Sequence, residues 1–242
     1  MNYARLSALT SAQVAPAPRS DIPDVLWIDD DLPALWTQST LPHDAVGAAV
    51  ERLRSDRESE PKITAMMLSC APAGARLHGL EARMKSPAST AEKVLRKAAF
   101  GESAQETVSR FTDTLRYTLC TVEHDRIVPG ARAMLADLSD QGMKVLEASE
   151  TYYAGAPYKG LHFLIQDSVG TTFELQVHSE TSQRVKDEIH EFYEVARGDE
   201  VSDERASWAN EECARRSAIV PTPAGLKEWR EVEGCPLEHK GP

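Results

Sequence analysis

The sequence predicts an α/β (α+β) domain built on a mixed sheet of about five strands flanked by helices. Three observations predict it. Apolar residues recur at helical spacing in several segments, and they alternate with polar ones in others, most clearly in TTFELQVHSE, residues 171–180. The two kinds of segment also follow one another as helix, strand, helix, three strands, helix, an order suited to a sheet covered by helices.

In chain order, residues 1–61 read as an N-terminal extension, partly irregular or helical, with several prolines, Trp27, Trp36 and a run Asp29-Asp30-Asp31 that suits a solvated loop. Residues 62–80 carry Ile63, Met66, Met67, Ala71 and Leu77, the pattern of a helix interrupted near Pro72. A basic loop, ARMKSPAST, leads into a short helix, AEKVLRKAAF, for which Ser89 or Thr90 can cap the N-terminus. FTDTLRYTLCTV is rich in β-branched and aromatic residues and reads as a strand. A helix over 128–141 stops at Gly142. MKVLEASETYY, LHFLIQDS and the 171–180 stretch are strands, with GAPYKG as a loop and Gly170 as a hairpin turn. A helix follows with Val185, Ile189, Phe192 and Val195 on one face, and residues 198–242 read as a charged, proline-bearing extension wrapping the domain.

The composition restricts what the chain does. Its 242 residues, 41% hydrophobic and 27% charged, suffice for a real core. No run reaches the roughly 20 apolar residues of a membrane helix. A net charge of −11 argues against a DNA, RNA or anionic-membrane surface but leaves room for one local basic pocket. Cys70, Cys120, Cys213 and Cys235 lack zinc-type spacing. Their even number suits either buried thiols or, in an exported chain supplied without its leader, the pairs Cys70–Cys120 and Cys213–Cys235. The first residues contain no apolar stretch of signal-peptide type.

The scarce basic residues concentrate at Arg83, Lys85, Lys93, Arg96 and Lys97, around a helix start that itself favours anions. Such a set can clamp a polyphosphate, and on residue type alone it also fits a solvated basic helix. Asp113 stands three residues before Arg116. With Glu174 on a neighbouring strand it could hold Mg²⁺, which takes oxygen ligands and keeps sites for substrate phosphates. Tyr158 offers a ring for a base to stack on.

Four stretches in this order, RMKSPASTAEK (83–93), DTLR (113–116), YKGLH (158–162) and ELQVH (174–178), resemble the motifs of the RelA/SpoT-like alarmone synthetases, a pyrophosphokinase fold related to nucleotidyltransferases. The resemblance covers residues 62–197 and implies a small stand-alone member. It implies transfer of the β,γ-pyrophosphate of ATP to the 3′-hydroxyl of a purine nucleotide, with release of AMP. By the same resemblance Arg83, Lys85, Ser89, Lys93 and Arg116 serve the ATP phosphates. Asp113 and Glu174 are the catalytic and metal-binding acids, for Mg²⁺ with Mn²⁺ or Co²⁺ as substitutes. Tyr158, Lys159, His162, Gln176 and His178 take the acceptor. Two positions depart from the family pattern: Ala156-Pro157 replaces the usual Asn-Gly, and His178 replaces a frequent Arg. Both lie on the acceptor side and imply an acceptor range that includes adenine as well as guanine nucleotides. Pyrophosphorylation of tRNA 3′ ends and nucleotide binding without turnover are the alternatives the same resemblance leaves.

Overall fold

The computed structural model describes residues 2–29, 32–198 and 201–240; Asp30 and Asp31 of the acidic run lie outside them. The chain forms two compact units. The first comprises Met1–Met67, Gly79–Tyr117 and Val169–Glu174; the second comprises Leu68–His78, Thr118–Ser168 and Leu175–Pro242.

The elements run α1 (Tyr3–Leu6), α2 (Ser11–Val14), α3 (Leu32–Thr37), α4 (His43–Ser69), β1 (Ala75–His78), α5 (Pro87–Lys97), α6 (Ala104–Ser109), β2 (Arg116–Thr121) and α7 (Ile127–Asp140). They continue β3 (Lys144–Glu150), β4 (Leu161–Gln166), β5 (Thr172–Ser179), α8 (Glu180–Ala196), α9 (Asp203–Ser217), β6 (Glu231–Val232) and β7 (Cys235–His239). The strands form a mixed seven-stranded sheet in the order β1-β2-β5-β4-β3-β7-β6. The sheet lies in the second unit except for the first residues of β2 and β5.

α4, in the first unit as far as Met67, is a single 27-residue helix that runs through Pro61. The expected helix at 62–80 thus begins some way earlier and ends at Ser69. One missing N–H at Pro61 is tolerated because the buried stripe Val46, Val50, Leu53, Ile63 and Met67 continues on both sides of it. Glu60 lies in the same stripe, fully buried. Its Oε1 accepts from Arg83 Nε at 2.6 Å, Arg19 Nη2 at 2.6 Å and Thr64 Oγ1 at 2.5 Å. Thr64 and Tyr117 share a hydroxyl–hydroxyl bond of 2.8 Å, and the Tyr117 ring meets Phe173 edge-on at 5.7 Å. Helix α5 is capped by Ser86, not by Ser89 or Thr90. The Ser86 Oγ accepts from the Ser89 N–H at 3.1 Å, and Pro87 occupies the first turn, where its missing donor costs nothing.

In the second unit β1 is antiparallel to β2 and β3 is antiparallel to β4, with a bulge between Val145 and Glu147. The segment before β1 is no helix, because Pro72 and Gly74 turn the chain after α4. The expected wrapping extension contributes α9 and two further strands, which accounts for seven strands where about five are expected. β7 runs parallel to β3. It pairs with β6 through a turn in which Glu233 and Gly234 both have positive φ, the conformation of a tight hairpin turn. The second unit's core includes Leu119, Leu135, Phe163, Ile165, Leu175 and Val177. All four cysteines are free thiols, so the pairing expected of an exported chain is not formed.

Candidate functional site

In the first unit, the isolated bridge between Met84 and Leu115 ties the basic loop to the chain entering β2. The Lys85 N–H donates to the Thr114 carbonyl at 3.0 Å and the Arg116 N–H to the Arg83 carbonyl at 2.8 Å. This pairing delivers Lys85 to Asp113: the ammonium lies 2.7 Å from Oδ2. Lys93, two turns into α5, reaches Oδ1 of the same carboxylate at 2.5 Å and sits 4.5 Å from the centre of the Phe111 ring. Burial by itself would raise the Asp113 pKa, but the Lys85 charge and the bonds from both lysines overcome it and hold the carboxyl well below its ordinary range. Burial lowers the Lys85 pKa, against the pull of Asp113, with Arg116 and Lys93 adding like-charge repulsion.

The Glu174 N–H donates to the Leu115 carbonyl at 3.0 Å, two residues beyond Asp113. Its carboxylate is 4.0 Å from the Arg116 guanidinium. Lys85, Lys93, Asp113, Arg116 and Glu174 thus form one chain of charges carrying a surplus positive charge. Among the described residues no group of three or more His, Cys, Asp or Glu converges on a metal position. The donor chemistry still fits a hard cation, because Asp113 and Glu174 offer carboxyl oxygens and a phosphorylated substrate would supply others.

Arg83, expected among the phosphate ligands, is 3% exposed. Besides Glu60 it donates to the carbonyls of Pro23 and Leu80, both at 2.7 Å. Its side chain therefore anchors the basic loop to α4 and the N-terminal segment. Ser89 contributes its backbone N–H to the cap of α5.

In the second unit, Tyr158 is half-buried and its hydroxyl lies 2.6 Å from His178 Nε2. Burial, reinforced by Lys186 and the imidazoles of His162, His78 and His124, lowers the His178 pKa well below its usual value. A neutral ring accepts from the Tyr158 O–H at Nε2 and directs Nδ1–H to Ser182 Oγ at 3.3 Å. His178, expected on the acceptor side, is wholly buried, and its Nε2 meets the Tyr158 hydroxyl. Gly160 makes room for this pair: a Cβ there would stand 2.6 Å from the Tyr158 hydroxyl and 2.8 Å from His178 Cε1. His162 lies beside the tyrosine, ring centres 5.3 Å apart.

Gln176 is buried, and its Oε1 accepts from Lys186 Nζ at 2.7 Å. The same ammonium stands 6.0 Å from the Tyr158 ring centre. Lys186, on α8, has no place among the expected site residues; its signal in the sequence is a lysine one position past the apolar Val185. Lys159, expected on the acceptor side, donates to the Val220 carbonyl at 2.7 Å, and its burial lowers its pKa.

No protein-family model matches the sequence, and no curated protein matches it. Among solved structures the chain is similar to small alarmone synthetase 1 from Bacillus subtilis, at 16% identity and a TM-score of 0.41 over 71% of this chain and 87% of that one. A GTP pyrophosphokinase family protein from Streptococcus pneumoniae is matched at 14% identity and a TM-score of 0.40 over 72% and 86%. The type VI effector Tas1, solved in complex with its immunity protein, is matched at 19% identity and a TM-score of 0.39 over 73% and 94%.

Proposed function

We propose that the protein is an ATP:nucleotide 3′-pyrophosphotransferase acting on purine nucleotides. The observation that carries this reading is Asp113 held between Lys85 and Lys93, with Arg116 and Glu174 next in line, on the residues whose motifs resemble the alarmone synthetases.

Pyrophosphoryl transfer demands charge neutralisation and alignment more than a reactive side chain. Lys85 and Lys93 exchange their bonds to Asp113 for bonds to the donor's phosphate oxygens, and Arg116 adds a third cation. Asp113 and Glu174 would hold Mg²⁺, which supplies charge neutralisation across the phosphates when bound. The acceptor's 3′-oxygen forms a bond to the β-phosphorus of ATP, the bond from that phosphorus to the α,β-bridging oxygen breaks, and AMP leaves. Glu174 takes the proton from the 3′-hydroxyl or orients it. Tyr158, fixed through its hydroxyl by His178, stacks on the acceptor base, with Lys186 and Gln176 beside it. A tyrosine ring reads the π face that every base has, which suits a range of acceptors.

The test is incubation of the pure protein with ATP, Mg²⁺ and AMP, GDP or GTP, with products resolved by anion exchange. Release of AMP together with a 3′-pyrophosphorylated product is expected. Absence of AMP release with every acceptor would sink the proposal.

A further inference from the structure

Ser217, the last residue of α9, and the segment after it meet the residues on both sides of Tyr158, all within the second unit. The Ser217 hydroxyl donates to the Pro157 carbonyl at 2.9 Å, and Lys159 Nζ donates to the Val220 carbonyl at 2.7 Å. A third contact joins the same segment to His124, whose Nε2 lies 2.8 Å from the Pro221 carbonyl. We propose that His124 and Ser217 are positioning residues for the acceptor nucleotide, acting through Tyr158. Ser217 ties the segment to the neighbour of the tyrosine, and His124 ties it to the tyrosine hydroxyl. The inference rests on the transfer reaction proposed above, in which Tyr158 stacks on the acceptor base.

The segment is itself a firm anchor. Val220 and Pro223 are buried, and the rings of Pro221 and Pro223 restrict the backbone. The Ala224 N–H donates to Asp125 Oδ1 at 3.2 Å, next to His124. These residues lie beyond position 197, outside the stretch that carries the recognisable motifs.

From His124 a chain of hydrogen bonds leads to the tyrosine, and its direction follows from its far end. A carbonyl only accepts, so Pro221 requires the proton of a neutral His124 on Nε2 and leaves Nδ1 bare. Nδ1 takes the hydroxyl hydrogen of Ser179 at 2.9 Å. A hydroxyl has one hydrogen, so Ser182 must donate across the 3.3 Å between the Ser179 and Ser182 hydroxyls; otherwise two bare oxygens would face each other there. The Ser179 carbonyl, also 3.3 Å away, draws the Ser182 hydrogen to the same side. His178 then supplies the hydrogen of its contact with Ser182 from Nδ1, and the Tyr158 hydroxyl donates to the bare Nε2. The two imidazoles therefore hold opposite tautomers. The Tyr152 ring, edge-on to His124 at 6.2 Å, keeps the first of them in place.

Long-range proton–nitrogen NMR on histidine-labelled protein, without nucleotide and with both rings neutral, reads the tautomers. His124 should carry its proton on Nε2 and His178 on Nδ1, and in His124→Leu the His178 signals should move to a mixture of tautomers. A His178 proton held on Nε2, or His178 signals unmoved by the substitution, overturns the link.

Steady-state kinetics with AMP and with GDP as acceptor form the second arm. His124→Leu and Ser217→Ala should each raise the acceptor KM about fivefold, the scale of one hydrogen bond, and leave the KM of ATP unchanged. His124→Gln, which can still donate to Pro221 and accept from Ser179, should lie near wild type. Tyr158→Phe leaves the segment in place, so it should not share the loss. In a Tyr158→Ala background His124→Leu should add nothing further, whereas additive losses would make His124 a merely structural residue and overturn the proposal.

Calorimetric titration with AMP and GDP repeats the comparison without turnover. Weaker nucleotide binding in both variants without any AMP release would keep the positioning role and remove the reaction. AMP release with an unaltered acceptor KM in both variants would do the reverse, and wild type that neither binds these nucleotides nor releases AMP removes both.

Discussion

The Tyr158 hydroxyl and His178 Nε2 are 2.6 Å apart, and the imidazole that receives this hydrogen bond is wholly buried and uncharged. The bond fixes the Tyr158 ring through a neutral side chain.

The first prediction concerns pH. His178 titrates near 6.5 in an unfolded chain and well below that in the fold, so below about pH 6.5 the unfolded chain binds a proton that the folded one refuses. Stability fully present above that pH is lost as pH falls toward the folded value. His178→Gln should flatten the pH dependence of the urea midpoint between about pH 5 and 7. Parallel curves for the two proteins would show that this imidazole is not the group responsible.

Tyr158→Phe removes one hydrogen bond, worth about 1 kcal/mol, and keeps the ring. Tyr158→Ala removes a stacking surface worth roughly 1–3 kcal/mol per base. The alanine variant should raise the KM of the acceptor about tenfold or more, with that of ATP little altered, and the phenylalanine variant should lie close to wild type. Equal losses for acceptor and donor in steady-state kinetics would remove Tyr158 from the acceptor side.

Glu174→Gln keeps the shape of β5 and removes the carboxylate facing Arg116 at 4.0 Å. Turnover should fall by about 10²–10³-fold, the usual effect of losing one transition-state contact, while ATP still binds. Lys85→Ala should act on the other term, weakening ATP by releasing a cation from the phosphates. Single-turnover rates and equilibrium binding separate the two.

Glu60→Gln leaves the buried Arg83 and the neighbouring Arg19 without their counter-charge. Breaking a buried pair in this way costs about 3–5 kcal/mol, whereas the double change Glu60→Leu with Arg83→Met should recover much of the loss. Thermal unfolding of the three proteins tests this. A Glu60→Gln protein as stable as wild type would contradict the anchoring role given to Arg83.

The sheet strands β2 to β5 and the helices α7 and α8 are legible in the sequence because each is rich in apolar residues at strand or helical spacing. α4 was hidden by its own polar residues: Asp56 and Glu60 are both buried on a stripe that a hydrophobicity pattern reads as broken. β1, β6 and β7 are short, and each carries an exposed charged residue, Arg76, Glu231 and Glu238. Residue type and spacing single out Lys85, Lys93, Asp113 and Glu174, and in the structure both lysines pair with Asp113 while Glu174 faces Arg116. Sequence does not reveal burial. It does not show that Arg83 and His178 bond to Glu60 and Tyr158, and it marks Lys186 only by its place beside Val185.

The parallel pairing of β7 with β3 carries a practical consequence for handling the protein. Ala148, Ser149 and Glu150 would present an unpaired row of backbone donors and acceptors if residues 231–240 were trimmed. His239 and the Lys240 N–H, both bonded to Glu150, would be lost with them. An exposed strand edge is a template for association between chains. A version shortened at this end should therefore aggregate before it loses its fold, and an affinity tag placed there needs a spacer that leaves β7 in its register.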